Sequence, residues 1–237
     1  VKFSNLLSYM ATIDAGFSYY GRLGAVEFFT QDANHHIQVM AQTLNGNYSK
    51  TFPGLIPADE NIAIVSRPMM IQNFTNNATY RSTCGFFNPT TNSITAEFRL
   101  YDGNGATIGS AFTKTFVGYD FRAFSPFSEA GVPYPNYSYD NAYLVVNPTS
   151  GTGGLVCFGA SANNVTNDPA AHVAVQYQGA YSNSPAEYII LPSCIWALAS
   201  GGGTWSSDVQ ITDLTGGSVV SAYFSSGGGS RRGPITV

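Results

Sequence analysis

An internal repeat whose parts occur out of order places the strongest constraint on the fold of this chain. Residues 79–98 and residues 204–224 both read as a threonine, a large aromatic residue (Tyr80 or Trp205), small polar residues, an apolar strand, a polar turn and a second alternating strand. We interpret each copy as the opening hairpin of a module. A repeat of this length points to an array of similar supersecondary units, so it bears on the fold before any single motif does.

The other half of the module also repeats, because residues 24–45 resemble residues 142–163 in length and apolar pattern. The expected fold is all-β, with antiparallel β-sandwich modules that are Ig-like or jelly-roll-like. One module is complete, and one is split between the N- and C-terminal segments. The expected domains are a closing half at 1–65, the complete module at 66–190 and an opening half at 191–237.

Short apolar runs separated by turn signals support this class. The apolar positions of residues 94–100 alternate, which indicates one buried and one exposed face. Asp102-Gly103-Asn104-Gly105 is a hairpin signal, because glycine accepts the positive φ that such turns need. Residues 1–10 read as an apolar loop or short strand, and no ten-residue window shows a convincing helical period.

Composition narrows the classes of partner. Charged residues are only 10% of the chain, against a usual quarter. The net charge is −4 and no basic run occurs, so nucleic acid is not an expected partner. No signal peptide is recognisable, and no stretch of 18 apolar residues predicts a membrane span. The chain reads as a mature product or a fragment that lies against other protein or outside a cell.

Three cysteines allow two interpretations. Cys84 aligns with Val209 in the repeat, and Cys157 aligns with Val39, so both positions are expected in the core. The two residues are either small buried thiols or a disulfide within the complete module, which an oxidising compartment would allow. Cys194 is left over, as a buried, free or interchain thiol.

Five N-glycosylation sequons occur in or beside predicted turns. Chance supplies several in a chain rich in Asn, Ser and Thr, so their use depends on whether the source glycosylates exported proteins. The acceptor asparagines are Asn47, Asn73, Asn77, Asn136 and Asn164.

Residues that could carry catalysis or hold a metal are scattered. His35 and His36, near Asp32, have ligand chemistry, but adjacent strand residues point to opposite faces, so an exposed hairpin tip explains them better. Glu97 and Glu129 could form a glycosidase pair, yet nothing in the sequence selects them. The expectation is a protein that is not an enzyme, with no catalytic residue, cofactor or metal.

Aromatic residues on a sandwich face could stack on sugars, although Tyr80 and Trp205 share one repeat position and are expected to pack in the core or between modules. His172 stands alone on a predicted strand and reads as a surface or satisfied histidine. The candidates for stacking are Tyr80, Tyr143, Trp205 and Tyr223.

The layout resembles tandem sandwich modules of large secreted microbial surface proteins. These carry a Thr-aromatic opening strand, an Asn-Pro turn, an Asp-Gly hairpin and an Ile-Pro-Ala module end. The resemblance implies a secreted sandwich protein and transfers no catalytic residue. The matching residues are Thr79-Tyr80-Arg81-Ser82, Asn88-Pro89, Asp102-Gly103-Asn104-Gly105 and Ile56-Pro57-Ala58.

Three arrangements could complete the split module. Its halves could pair between neighbouring copies, within one chain, or with covalent neighbours in a longer array. We favour the first, which predicts a structural subunit of an extracellular filament or surface array, a homopolymer built by donor-strand complementation. The alternative function is a carbohydrate-binding or adhesin module, which would have glycans as partners.

Overall fold

A computed structural model describes residues 6–14, 25–26, 39–45, 48–53, 55, 62–177, 196–198, 204–206, 221–225 and 231–236. Its helices are α1 (Leu6–Ile13) and α2 (Pro126–Glu129). Its strands are β1 (Met40–Asn45), β2 (Tyr48–Pro53), β3 (Met69–Asn76), β4 (Tyr80–Phe87), β5 (Ile94–Tyr101), β6 (Thr107–Phe116), β7 (Phe121–Phe124), β8 (Tyr139–Gly151), β9 (Val156–Asn163), β10 (Pro169–Val173), β11 (Val175–Gln176), β12 (Trp196–Leu198), β13 (Thr204–Ser206), β14 (Ser221–Ser225) and β15 (Arg231–Thr236).

Residues 62–177 form an all-β sandwich, as predicted. One sheet has the order β11-β3-β8-β5-β6, and the other has the order β10-β9-β4-β7, with antiparallel pairing throughout. The chain crosses between sheets after β3, β4, β6, β7, β8 and β10. This interleaving is typical of jelly-roll sandwiches.

The core lies between the two sheets and is rich in aromatic residues. Phe86 on β4 and Phe98 on β5 meet across it edge to face, with ring centroids 5.0 Å apart. Along β5, every second residue from Ile94 to Leu100 is buried, which confirms the predicted alternation. Burying a phenylalanine side chain stabilises the fold by about 1.5–3 kcal/mol, so this cluster is a main source of stability.

The interpretation of residues 79–98 as a hairpin is wrong. The strands occur at nearly the expected positions, but β4 and β5 belong to opposite sheets, and the turn between them is a corner. Their buried faces meet across the core, with Phe86 of β4 against Phe98 of β5, whereas the two strands of a hairpin lie side by side in one sheet. The hairpin predicted at Asp102 is confirmed, since β5 pairs with β6 and Gly105 has φ of 85°.

The expectation of a loop or short strand at the N-terminus is also corrected, because Leu6–Ile13 is a helix. Leucine, methionine and alanine are strong helix formers, and the segment has no glycine or proline to interrupt it. Thr12 Oγ1 donates to Tyr9 O at 2.7 Å within this helix. In the described part of the chain, neither helix has the length and apolar character needed to cross a bilayer.

Outside the sandwich, the described strands form three two-stranded sheets. These are the antiparallel pairs β1–β2, β12–β13 and β14–β15, and β2 runs beside β10 of the sandwich. Residues 178–190, at the end of the predicted complete module, lie outside the described residues, as does much of each predicted half-module. The split of the second module therefore stays a prediction.

Candidate functional site

A cleft of about 220 Å³ lies on the outer face of the five-stranded sheet. Its floor comes from alternate, outward-facing residues of β5 and β8, so the pleat of the sheet fixes their spacing. Glu97 lies opposite Asn147, and Arg99 lies opposite Val145. Tyr101 and Tyr177 also line the cleft. Charged, amide and aromatic groups thus converge on one concave surface.

Two stacked tyrosines stand beside this cleft. Tyr101 and Tyr143 are directly opposite each other on β5 and β8, with ring centroids 5.0 Å apart and planes 12° from parallel. Burial, with a smaller contribution from Tyr177, raises the pKa of both phenols. Both rings are therefore neutral at physiological pH. Of the predicted stacking candidates, Tyr143 does not line the cleft but stacks on Tyr101, which does, and Tyr143 is only 5% exposed.

The other stacking candidates lie elsewhere. Tyr80 is 44% exposed at the start of β4, so the expectation that it packs in the core of its own module is wrong. A residue at the end of a strand lies beyond the edge of the core, where the facing sheet does not cover its side chain. Trp205 and Tyr223 occur in β13 and β14, and their side chains lie outside the described residues.

The two charged residues of the cleft neutralise each other. Arg99 Nη2 lies 3.6 Å from Glu97 Oε1, and the two side chains are 42% and 39% exposed. An ion pair this exposed adds little to stability, and its remaining donors and acceptors face the solvent. Glu129, the other carboxylate considered for glycoside chemistry, pairs instead with Lys114 Nζ at 2.9 Å. The two glutamates are thus engaged in separate ion pairs.

A polar cluster closes one end of the sandwich and contains two sequons. The guanidinium of Arg81 donates to Asn164 Oδ1 at 3.2 Å and to Asn167 Oδ1 at 2.7 Å. The amide of Asn164 donates to the carbonyls of Asn77 and Ala78, both at 3.0 Å. Asn77 Nδ2 donates to a carboxylate of β8. A glycan on either asparagine would disturb these bonds.

The remaining sequons differ in exposure. Asn73 is exposed on β3 with φ of 63°, at a bulge where the pairing with β8 shifts. Asn136 is exposed in a turn before β8. Asn47 lies outside the described residues. Glycosylation stays a prediction at all five positions, and among the four acceptors that the structure describes, Asn136 and Asn73 are those that an enzyme could reach with least disturbance of the fold.

Cys84 and Cys157 are fully buried free thiols. Cys84 lies opposite Gly159 and Cys157 opposite Phe86, so the cysteines are diagonal neighbours on adjacent strands. The Cα atoms of diagonal neighbours are about 7–8 Å apart, which exceeds the Cα–Cα distance of about 4.4–6.8 Å that a disulfide usually spans. Burial raises the pKa of both thiols, which makes them unreactive. The alternative of two small core thiols therefore fits the strand register better, and the bond remains to be tested by intact mass.

His172 belongs to a series of hydrogen bonds through serine hydroxyls, which was not predicted from the sequence. Its Nε2 lies 3.1 Å from Ser161 Oγ, which lies 2.8 Å from Ser82 Oγ. Ser82 Oγ donates to Thr75 O and accepts from Thr75 N, both at 2.8 Å. These hydrogen bonds connect the bulge of β3 to the opposite sheet, so a structural role accounts for them. The sequence signal that could have revealed these hydrogen bonds is the β9–β10 hairpin, because its pairing brings His172 close to Ser161.

The histidines with metal-ligand chemistry, His35 and His36, lie outside the described residues, as does Asp32. Within the parts of the chain that the structure does describe, no group of three or more His, Cys, Asp or Glu residues could hold a metal ion.

The hairpins beyond the sandwich fall at corresponding repeat positions. Aligned by the repeat, β1 matches residues 158–163, the last six residues of β9, so the β1–β2 hairpin corresponds to β9–β10. Within one or two residues, β14 and β15 correspond to β5 and β6. Both of the latter hairpins have a five-residue connection, 102–106 and 226–230. The described hairpins near the two ends of the chain therefore align with different parts of the sandwich, β1–β2 with β9–β10 and β14–β15 with β5–β6.

Comparisons of the chain with protein-family models, with curated proteins and with solved structures found no match.

Proposed function

We propose that this protein is a structural subunit of an extracellular filament or surface array. The N-terminal half-module of one copy completes the C-terminal half-module of the next, so that subunits join head to tail. The observation that carries the proposal is the position of the outer hairpins. The β1–β2 hairpin corresponds to the closing half of the module, and β14–β15 corresponds to the opening half.

The complete sandwich supplies a template for how the halves would pair. There, β4 pairs with β9 over eight residues, from Tyr80 opposite Asn163 to Phe87 opposite Val156. The equivalent of β4 belongs to the C-terminal half, and the equivalent of β9 belongs to the N-terminal half. Joining the halves would therefore recreate a central pairing of the four-stranded sheet, with main-chain hydrogen bonds along its length.

A partly buried pair of hydroxyl side chains supports this register. In the complete sandwich, Ser82 and Ser161 face each other at the β4–β9 pairing, with their hydroxyls 2.8 Å apart. The repeat places Ser207 and Thr43 at these two positions. Both residues carry hydroxyls, so the completed second sandwich could keep the same hydrogen bond. An isolated hydroxyl would be costly to bury there, which favours pairing in this register over a slipped one.

Pairing between copies is favoured by the partners of β1 and β13. Among the described strands, β1 pairs only with β2 and β13 only with β12, so no described strand of one end shares a sheet with a described strand of the other. Although β2 runs beside β10, β1 is an edge strand of its two-stranded sheet, and an edge strand is a template for pairing with another chain. Donor and acceptor surfaces differ, so their contact is heterologous and propagates unless it closes into a ring.

An extracellular setting agrees with the composition and with the resemblance to microbial surface modules. Charged residues make up only 10% of the chain, and polar uncharged side chains replace them. A surface of this kind suits close contact between subunits, because few charges need to be desolvated.

Negative-stain microscopy and size-exclusion chromatography of the purified chain test this function. We expect long uniform fibres, which deletion of residues 1–45 abolishes, while circular dichroism still reports the β-sandwich. A compact species near the 25.3 kDa chain mass, with both half-modules folded, would contradict the proposal.

A further inference from the structure

We propose that the cleft on the outer face of the five-stranded sheet binds a single neutral pyranose ring, such as the terminal residue of a glycan. This site does not depend on assembly into filaments, and it uses described residues only. Three properties lead to it: flat aromatic surfaces, polar groups that can serve vicinal hydroxyls, and a volume suited to one sugar ring.

The aromatic surface is held in place before any ligand arrives. Tyr101 is half-buried, and its ring is backed by the parallel ring of Tyr143 at 5.0 Å. Tyr177 packs against the buried cluster of Met70, Tyr143 and Val145, and its backbone N–H donates to Pro68 O at 2.8 Å. A pyranose presents C–H groups on one face, and these pack on an aromatic ring while the hydroxyls remain at the rim. A rigid tyrosine loses little conformational entropy on binding, so such a platform favours association.

The polar groups of the cleft lie on β5 and β8, next to the aromatic residues. Arg99 offers N–H donors, Glu97 offers carboxylate acceptors, and Asn147 offers both, with Glu97 and Asn147 directly opposite each other. Adjacent hydroxyls of a sugar each donate and accept, so a mixed set of donors and acceptors matches them.

Charge decides between neutral and acidic sugars. Arg99 and Glu97 are already paired at 3.6 Å, so the cleft presents no excess positive charge. A uronate or other carboxylate would compete with Glu97 for Arg99 and would face a like charge. We therefore infer a preference for neutral sugars.

The size of the cleft limits the ligand. Its volume of about 220 Å³ is below the ~300–1,000 Å³ of typical small-molecule pockets, so one ring is the expected occupant. So small a contact surface predicts weak binding of a single ring, with a Kd on the order of 1 mM. Tight binding to a surface would then need several copies, and a filament would provide them.

Saturation-transfer NMR on the full chain tests this inference. The probes are the methyl glycosides of glucose, galactose, mannose and N-acetylglucosamine, with glucuronate as the charged comparison. We expect transfer to the ring protons of at least one neutral glycoside, and weaker transfer to glucuronate. Tyr101→Ala should reduce the affinity about tenfold or more. The matched control, Tyr80→Ala, removes an exposed tyrosine on the other sheet and should leave binding unchanged.

A second variant guards against a loss of fold in Tyr101→Ala. Arg99→Gln changes a side chain that is 42% exposed, so the sandwich should remain folded while sugar binding falls severalfold. The inference is overturned if no neutral glycoside receives saturation, or if Tyr80→Ala weakens binding as much as the cleft variants do. Neither outcome bears on fibre formation, so this test and the microscopy fail separately.

Discussion

At the scale of single residues, Asn88 holds the corner between the two sheets. Its side chain is fully buried, and its Nδ2 donates to Asn92 O at 2.7 Å and Val117 O at 2.9 Å. Its Oδ1 accepts from both the N–H and the hydroxyl of Thr90. The side-chain amide of Asn88 thus hydrogen-bonds to backbone groups of two connections, β4–β5 and β6–β7. The sequence shows an Asn-Pro turn here, but it does not show which carbonyls the amide will meet.

Replacing Asn88 should therefore lower the free energy of unfolding substantially. Asn88→Ala removes four hydrogen bonds that the amide makes to the two connections, and each lost bond costs about 0.5–1.5 kcal/mol. We expect a loss of roughly 2–4 kcal/mol in the free energy of unfolding, measured by urea denaturation. The control Asn92→Ala removes an exposed amide three residues beyond Pro89 and should cost under about 0.5 kcal/mol. Equal losses in the two variants would show that the corner does not depend on the Asn88 side chain.

His172 makes stability depend on pH. Burial lowers the pKa of this imidazole below its ordinary value of 6.5, so the unfolded chain takes up a proton at a higher pH than the folded protein does. Stability is therefore full above pH 6.5 and decreases as the pH falls from 6.5 to the lower folded pKa. Thermal unfolding of wild type between pH 7 and pH 5 should show a drop in Tm that is smaller in His172→Gln. Parallel Tm profiles for the two proteins would refute this role.

At the scale of elements, the sequence predicts strands better than it predicts their partners. The strand β5 and the hairpin at Asp102 follow from apolar alternation and from glycine at a positive φ. The error at residues 79–98 arose because a hairpin and a corner between sheets use the same turn residues. Their difference lies in which faces share a core, and only long-range packing decides this.

The candidate cleft shows the same limit. Tyr143 was identified as a possible sugar platform, but Arg99 and Tyr177 were not. Outward-facing residues of a strand look alike in sequence whether or not they meet those of another strand. Their convergence depends on the order β11-β3-β8-β5, which joins segments far apart in the chain.

A bulge in β6 gives a prediction at this scale. Gly109 has φ of 60°, and a Cβ at this position would clash with the carbonyl oxygen of Ala130, which accepts from Ser110 N at 3.0 Å. Gly109→Ala should therefore destabilise the sandwich by about 2–4 kcal/mol in urea denaturation. Gly103→Ala is the matched control, because its Cβ would come no closer than 3.4 Å to any neighbour. A loss no larger than that of the control would mean that the bulge can relax.

At the scale of the whole molecule, the central claim is that the two ends of different copies complete one sandwich. The template is the β4–β9 pairing, in which Arg81 lies opposite Ala162. The repeat places Ser206 and Leu44 at these positions. Directly opposite residues in an antiparallel pair have Cα atoms about 4.5–5.5 Å apart, which a disulfide can span.

Mixed cross-linking is the most direct measurement of this claim. Chains carrying Leu44→Cys are refolded with chains carrying Ser206→Cys, all with Cys194→Ser, and the mixture is oxidised. The account predicts a covalent dimer on non-reducing gels from the mixture, and none when Thr43→Cys replaces Leu44→Cys, because a one-residue shift turns the side chain to the other face. The contradicting result is no dimer in the mixture, together with an internal cross-link when one chain carries both cysteines.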